Sequence, residues 1–186
     1  MGTIVGVPSV AQVGDSTVIA ALGSDNSLQF WWQPIGSLEW NQEQVAGPGT
    51  TSSFPSVAQA GDSTVITAVG SDGSHQFWWQ PIGSQQWNQE QVAGPGIIED
   101  APSVAQVGNS TVIAAVSPVG DLVVYWQLIG SQQWNLEQVA VPSGLVSASV
   151  AQVGDSTVIA AVDLDGNLLF WWQPIGSQQW NLEQVA

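Results

Sequence analysis

The sequence predicts an all-β repeat protein, and three observations carry that expectation. Residues 27–46, SLQFWWQPIGSLEWNQEQVA, recur in close copies three more times, so that Trp31 returns as Trp78, Tyr125 and Trp171 at spacings of 47, 47 and 46 residues. A fixed period of this size marks one supersecondary unit per repeat, which cannot bury its own apolar faces and must stack on its neighbours. Within each repeat the apolar runs are short and β-branched or alternating, and Gly or Pro interrupts each before it reaches the length of a packed helix. With 44% hydrophobic residues in a chain of 186, there is apolar surface enough for a core.

The first unit is read strand by strand. Residues 9–13 (SVAQV) are a short β-compatible run, closed by the turn residues Gly14, Asp15 and Ser16. Residues 17–22 (TVIAAL) are almost wholly apolar and suit a strand covered on both faces, the most buried of the unit. A turn follows at residues 23–27, and its second copy carries the Asp72-Gly73 pair favoured in tight hairpins. Residues 28–33 alternate, with Leu28, Phe30 and Trp32 on one face and Gln29, Trp31 and Gln33 on the other. After a turn at Pro34, Ile35, Gly36 and Ser37, residues 40–45 form a more polar fourth strand, as expected at an edge that meets water.

One unit is thus a four-stranded antiparallel meander, and the units fall at about 8–46, 55–93, 102–140 and 148–186, a single repeat domain over residues 1–186. The link at residues 47–54 is rich in Gly, Pro and Ser. Eight extended residues reach roughly 26 Å, enough to cross three strand spacings of about 4.8 Å back to the first strand of a neighbouring sheet. Sheets linked outer strand to next inner strand around an axis describe a β-propeller of four blades. A β-solenoid is the alternative, with repeats that are usually shorter.

Charge excludes several functions. The chain has 15 acidic residues, no Lys or Arg and a formal charge of −15, so nucleic acid, anionic lipid and phosphate ligands are repelled rather than attracted. Neither nucleic acid nor membrane is an expected partner. No apolar run is long enough to span a bilayer, and the first residues lack the basic region of a secretory signal. A soluble protein is expected, cytoplasmic or secreted after processing. Without Cys there is neither a disulfide framework nor a thiolate metal site.

The motifs PSVAQVG (residues 8–14), TVIAA (residues 17–21), SDGS (residues 71–74), Phe-Trp-Trp (residues 30–32) and Trp-x-x-Glu-x-Val-Ala-Gly (residues 40–47) resemble blades of bacterial propeller lectins, the fucose-binding and tachylectin-like propellers. The resemblance covers all four units. It implies the propeller fold and sugar pockets between adjacent blades, several per molecule. Two departures stand out: such blades usually carry Arg, Lys or His around the sugar, where this chain has His75 alone, and their rings have five to seven blades rather than four. Two copies closing an eight-bladed ring as a homodimer are therefore expected, with a compact four-bladed ring, like that of hemopexin-type domains, as the alternative. The near-identity of the units points to recent amplification of one blade or to an engineered or excised chain.

Sugars bind by stacking an apolar face on an aromatic ring while amides or carboxylates meet the hydroxyls. The face carrying Trp31 and Gln33 offers that combination, repeated as Trp78 and Gln80, Tyr125 and Gln127, and Trp171 and Gln173; these eight residues are the candidate carbohydrate site. The competing use of the same rings is packing between blades, since large aromatics serve cores first. Trp32 and its counterparts are expected in the core, and Trp40 and its counterparts suit either use. Residues 163–167, DLDGN, open like a calcium loop, yet Pro174 stands where the bidentate Glu would fall, so an ordinary hairpin turn is expected and no metal or cofactor. His75 occupies an apolar position with no visible partner, which fits a partly buried, hydrogen-bonded histidine rather than a ligand or a base. Glu43, Glu90, Glu137 and Glu183 recur once per unit, and equivalent settings do not give the two different carboxylates a glycosidase needs. No catalytic residue is expected. Two functions stay open: a multivalent glycan-binding propeller that is not an enzyme, or a structural scaffold that self-assembles without a small ligand.

Overall fold

The structure is a computed structural model that describes residues 3–142 and 144–186. Among these residues the regular structure is all strand. The first sheet comprises β1 (Ile4–Val13), β2 (Ser16–Gly23), β3 (Leu28–Pro34) and β4 (Asn41–Ala46), and the second β5 (Ser56–Ala60), β6 (Ser63–Val69), β7 (His75–Pro81) and β8 (Asn88–Ala93). The third holds β9 (Ser103–Val107), β10 (Ser110–Val116), β11 (Leu122–Leu128) and β12 (Asn135–Val139), and the fourth β13 (Leu145–Val153), β14 (Ser156–Asp163), β15 (Leu168–Pro174) and β16 (Asn181–Gln184). In every sheet the strands lie side by side in chain order and pair antiparallel, the meander expected of a propeller blade.

Local chemistry sets the hairpins. The turn between the second and third strands needs one residue with positive φ, supplied by Gly73 (φ 79), Gly120 (φ 83) and Gly166 (φ 83), and in the first sheet by Asn26 (φ 61), the non-Gly type that tolerates this region best. Asp25 and Asp72 hold their turns by accepting hydrogen bonds from the backbone and hydroxyl of Ser27 and Ser74. Those bonds, the hydroxyl's first, keep both carboxyls below the ordinary Asp range. Asp163 closes its turn in the same way, accepting from the backbone of Asp165 and Asn167 and from the Asn167 side chain.

The strand edges differ from the sequence reading in two places. The first strand begins at Ile4 rather than at residue 9, because residues 4 and 5 continue the ladder with Gly23 and Leu22 before the register breaks between Val5 and Ser9. Gly6 (φ 70) sits in that break directly under the Phe54 ring, where a Cβ would clash with it. The fourth strands begin one residue late, at Asn41, Asn88, Asn135 and Asn181. Three of the tryptophans just before them, Trp87, Trp134 and Trp180, reach across to the preceding sheet.

The core lies between the blades. The face of the first sheet bearing Val18, Ala20, Leu28 and Phe30 packs on the face of the second bearing Val57, Ile66, Ala68 and Trp78. The same pairing joins the second sheet to the third through Val65 and Phe77 against Ile113 and Tyr125, and the third to the fourth through Leu122 and Val124 against Ile159 and Trp171. The second strands are the most buried, β6 and β10 at every position after the first. Each fully buried Ile66, Ile113 and Ile159 contributes roughly 1.5–3 kcal/mol by leaving water. Innermost strands follow one another, β1 on β5, β5 on β9 and β9 on β13. The arc stays open: Val10 on the first sheet is 68% exposed, whereas its counterparts Val57, Val104 and Val150 are at 5%, 5% and 6%. The compact four-bladed ring is not formed.

Candidate functional site

A repeated contact crosses each joint between blades. Because Phe30 and Glu43 are paired across β3 and β4, the carboxylate of Glu43 points with the Phe30 face towards the next sheet. There it accepts hydrogen bonds from Gln80 Nε2 (3.0 Å) and Trp87 Nε1 (2.9 Å). Glu90 accepts in the same way from Gln127 Nε2 (3.0 Å) and Trp134 Nε1 (3.2 Å). Hydrogen bonds to a carboxylate contribute roughly 1.5–3 kcal/mol, so these are clamps between blades in a chain that has no Lys or Arg for ion pairs. At the third joint Glu137 keeps the indole of Trp180 (2.9 Å), but Gln173 Nε2 is buried without a partner.

That third joint also holds a cleft. A cleft of about 890 Å³ opens between the third and fourth sheets. Trp126, Leu136 and Glu137 line one wall, and Thr157, Gln173 and Trp180 the other. The sequence explains the opening. Phe30 and Phe77 fill the earlier joints by meeting Trp87 and Trp134 edge to face, each at 5.1 Å and 76°. The equivalent residue in the third sheet is Val124, which lines the cleft and lacks the ring that would reach Trp180. Trp126, expected in the core with the other counterparts of Trp32, is 36% exposed here and borders the cleft.

The eight candidate residues from the sequence divide between four environments. Trp78, Tyr125 and Trp171 lie in the core between blades, 2%, 3% and 1% exposed, with Trp78 Nε1, Tyr125 Oη and Trp171 Nε1 unpaired. Rings so enclosed present no face for a sugar to stack on, and burial raises the pKa of the Tyr125 phenol. Gln80 and Gln127 are buried in the glutamate clamps. Trp31 and Gln33 are half-buried on the open face of the first sheet, and Gln173 lines the cleft.

One pair was missed in the sequence. His75 is fully buried and lies 2.7 Å from Thr67 Oγ1 through Nε2. The Thr67 hydroxyl donates to Gln76 O (3.2 Å), so the network assigns the histidine proton to Nε2 and leaves Nδ1 an unpaired acceptor. The ring also meets Tyr125 edge to face at 5.3 Å. Burial depresses the His75 pKa to about 3. The signal was present as a double exchange within one repeat: Thr67 stands where the other repeats have Ala, and His75 where they have Leu.

This architecture is a β-propeller arc, and comparisons with solved structures agree on the fold. The chain resembles BP39L lectin from Burkholderia pseudomallei, with a TM-score of 0.80 and 22% identity over 96% of this chain and 55% of that one. It also resembles the six-bladed fucose-recognising lectin of Aleuria aurantia, with a TM-score of 0.70 and 14% identity over 96% of this chain and 62% of that one. Propellers of enzymes match too, among them GH43B of the xyloglucan locus of Bacteroides ovatus, with a TM-score of 0.63 and 12% identity over 98% of this chain and 42% of that one. The chain spans just over half the length of the lectins it resembles. No family model matches the sequence, and no curated protein is similar to it in sequence.

Proposed function

We propose that this chain is a carbohydrate-binding propeller that holds sugars between blades, with its open site in the cleft between the third and fourth sheets. The observation that carries the reading is the composition of that cleft: exposed Trp126 and the Trp180 indole beside the Glu137 carboxylate and the unpaired Gln173 donor. Aromatic faces next to a carboxylate and an amide are what a pyranose needs, an apolar surface for its C–H face and partners for its hydroxyls. The lectin folds among its structural neighbours support the same class of ligand. Gln173 is the candidate residue from the sequence that lines this cleft. Among the described residues Glu137 is the one titratable group lining the cleft, which supports binding without hydrolysis, since a glycosidase sets two carboxylates across one bond. Self-association as a homodimer belongs to this reading, because avidity from repeated weak sites then compensates for modest single-site affinity.

The scaffold reading has its own support in the glutamate clamps, which occupy the Glu43 and Glu90 carboxylates internally. A glycan array followed by titration of tryptophan fluorescence separates the two. The expected result is sugar binding that weakens at least tenfold in Val124→Phe, whose ring fills the cleft as Phe30 and Phe77 fill theirs. Binding unchanged in that variant would move the site elsewhere, and silence of the parent chain towards all glycans would leave the scaffold.

A further inference from the structure

The two ends of the arc are the two halves of the joint that the chain makes three times internally. Each joint is built from the same parts. Gln59 Oε1 accepts from Gly14 N (2.8 Å), Gln106 Oε1 from Gly61 N (2.9 Å) and Gln152 Oε1 from Gly108 N (2.8 Å). Val57 N donates to Ser9 Oγ (3.0 Å), Val104 N to Ser56 Oγ (3.1 Å) and Val150 N to Ser103 Oγ (3.1 Å). The glutamate clamp makes the third element, and a trailing apolar face on a leading aromatic one makes the fourth.

Among the described residues, every one of these elements is left half-made at the ends. On the first sheet Gln12 Oε1, Val10 N, Gln33 and Trp40 lack the partner that their counterparts have, and Val10, Ile19 and Trp31 form a leading face with nothing on it. On the fourth sheet Gly154 N, Ser149 Oγ and Glu183 lack theirs, and Val153, Leu168 and Trp172 are exposed on the trailing face.

We propose that a second copy of this chain closes the ring, the trailing face of the fourth sheet in one copy seating the leading face of the first sheet in the other. Resting on the self-association reading above, this fixes the faces and the contacts. Glu183 of one copy receives the Trp40 indole and the Gln33 amide of the second, Ser149 Oγ receives the backbone N–H of Val10, and Gln12 receives that of Gly154. Such a head-to-tail joint closes when the rotation allows and otherwise runs on as a filament. Two copies give eight blades, within the span of about four to eight that propellers adopt, whereas three give twelve. The new joint has Phe170 where the open cleft has Val124, so it is a filled joint of the Phe30 and Phe77 type. The closed ring then carries two open clefts, one per chain, on opposite sides.

Because the chain has no Cys, a designed disulfide reads the joint without background. The Val10→Cys and Ser149→Cys double variant places a thiol on each side of the joint, at positions whose internal counterparts are linked by the backbone-to-hydroxyl bond of 3.0–3.1 Å. Oxidation followed by non-reducing electrophoresis in denaturant should give a two-chain species, and sedimentation equilibrium of the unmodified protein should give twice 19.5 kDa. A one-chain band, a ladder of higher multiples, or an uncrosslinked monomer in sedimentation would each overturn the proposal. Val10→Asp provides the second arm: Val10 is exposed in the single chain, so the variant should fold with unchanged far-ultraviolet dichroism yet sediment as a monomer. A Val10→Asp protein that remains a dimer would also refute the joint. Neither readout involves sugar, so a monomer that still binds glycan would sink this inference and the self-association reading while sparing the assignment of a glycan site.

Discussion

His75 gives this protein a pH-dependent stability that a double substitution should remove. The ring is fully buried, and its pKa falls from 6.5 to about 3 on folding because burial penalises the charged form. The folded state therefore holds His75 neutral while the unfolded chain takes up a proton as pH falls below 6.5, so stability present above that value is lost progressively on acidification down to about pH 3. Between pH 7.5 and pH 5.0 the loss is about 2 kcal/mol, at 1.36 kcal/mol per unit below the unfolded pKa. This magnitude depends on the unfolded value alone, since the folded one lies well under pH 5. In the His75→Leu and Thr67→Ala double variant, which restores the pair found in the first and third repeats, that component disappears. The counterparts Leu28 and Leu122 are themselves fully buried, so the site accepts the side chain. Thermal unfolding followed by tryptophan fluorescence at the two pH values and one protein concentration should show the parent losing about 4–8 °C more than the variant. Equal losses in both proteins would refute the assignment of a neutral, buried His75.

Two further outcomes test the turns and the clamps. Gly120→Ala should destabilise the fold by more than about 1 kcal/mol, whereas Gly73→Ala should cost less, in urea unfolding. Both residues have positive φ, but a Cβ on Gly120 would stand 2.6 Å from the Gly144 Cα, while on Gly73 it would meet nothing nearer than 3.7 Å. Glu90→Ala strands the Gln127 amide and the Trp134 indole at once and should cost about 2 kcal/mol by the same measurement, with Glu90→Gln recovering part of it.

Much of the fold was legible because strand chemistry is local. Alternation in LQFWWQ assigned two faces to β3, the β-branched run TVIAAL marked the buried second strand, and Asp72-Gly73 marked the hairpin. The fourfold period then turned one meander into four. The candidate site was legible in part. Repetition singled out the Gln and Glu positions that meet at the joints, but strand alternation says only that two side chains share a face, and both faces of a blade are covered. Whether Trp78 or Trp126 meets solvent depends on how the next sheet sits against it.

The sequence by itself therefore determined the blade: its strands, turns, faces and number of copies follow from residue patterns within one repeat. The tertiary structure decided what lies between blades. It buried Trp78, Tyr125 and Trp171, joined His75 to Thr67, tied Glu43, Glu90 and Glu137 to the tryptophan of the next repeat and left the arc open at Val10. Most of these facts depend on residues about 37 to 48 positions apart meeting across a sheet joint, where one ring fewer, at Val124, opens a cleft, and a sheet face that no other sheet covers leaves Val10 exposed. Packing between repeats is a property of pairs of surfaces, and no pattern within a single repeat encodes the volume left between them.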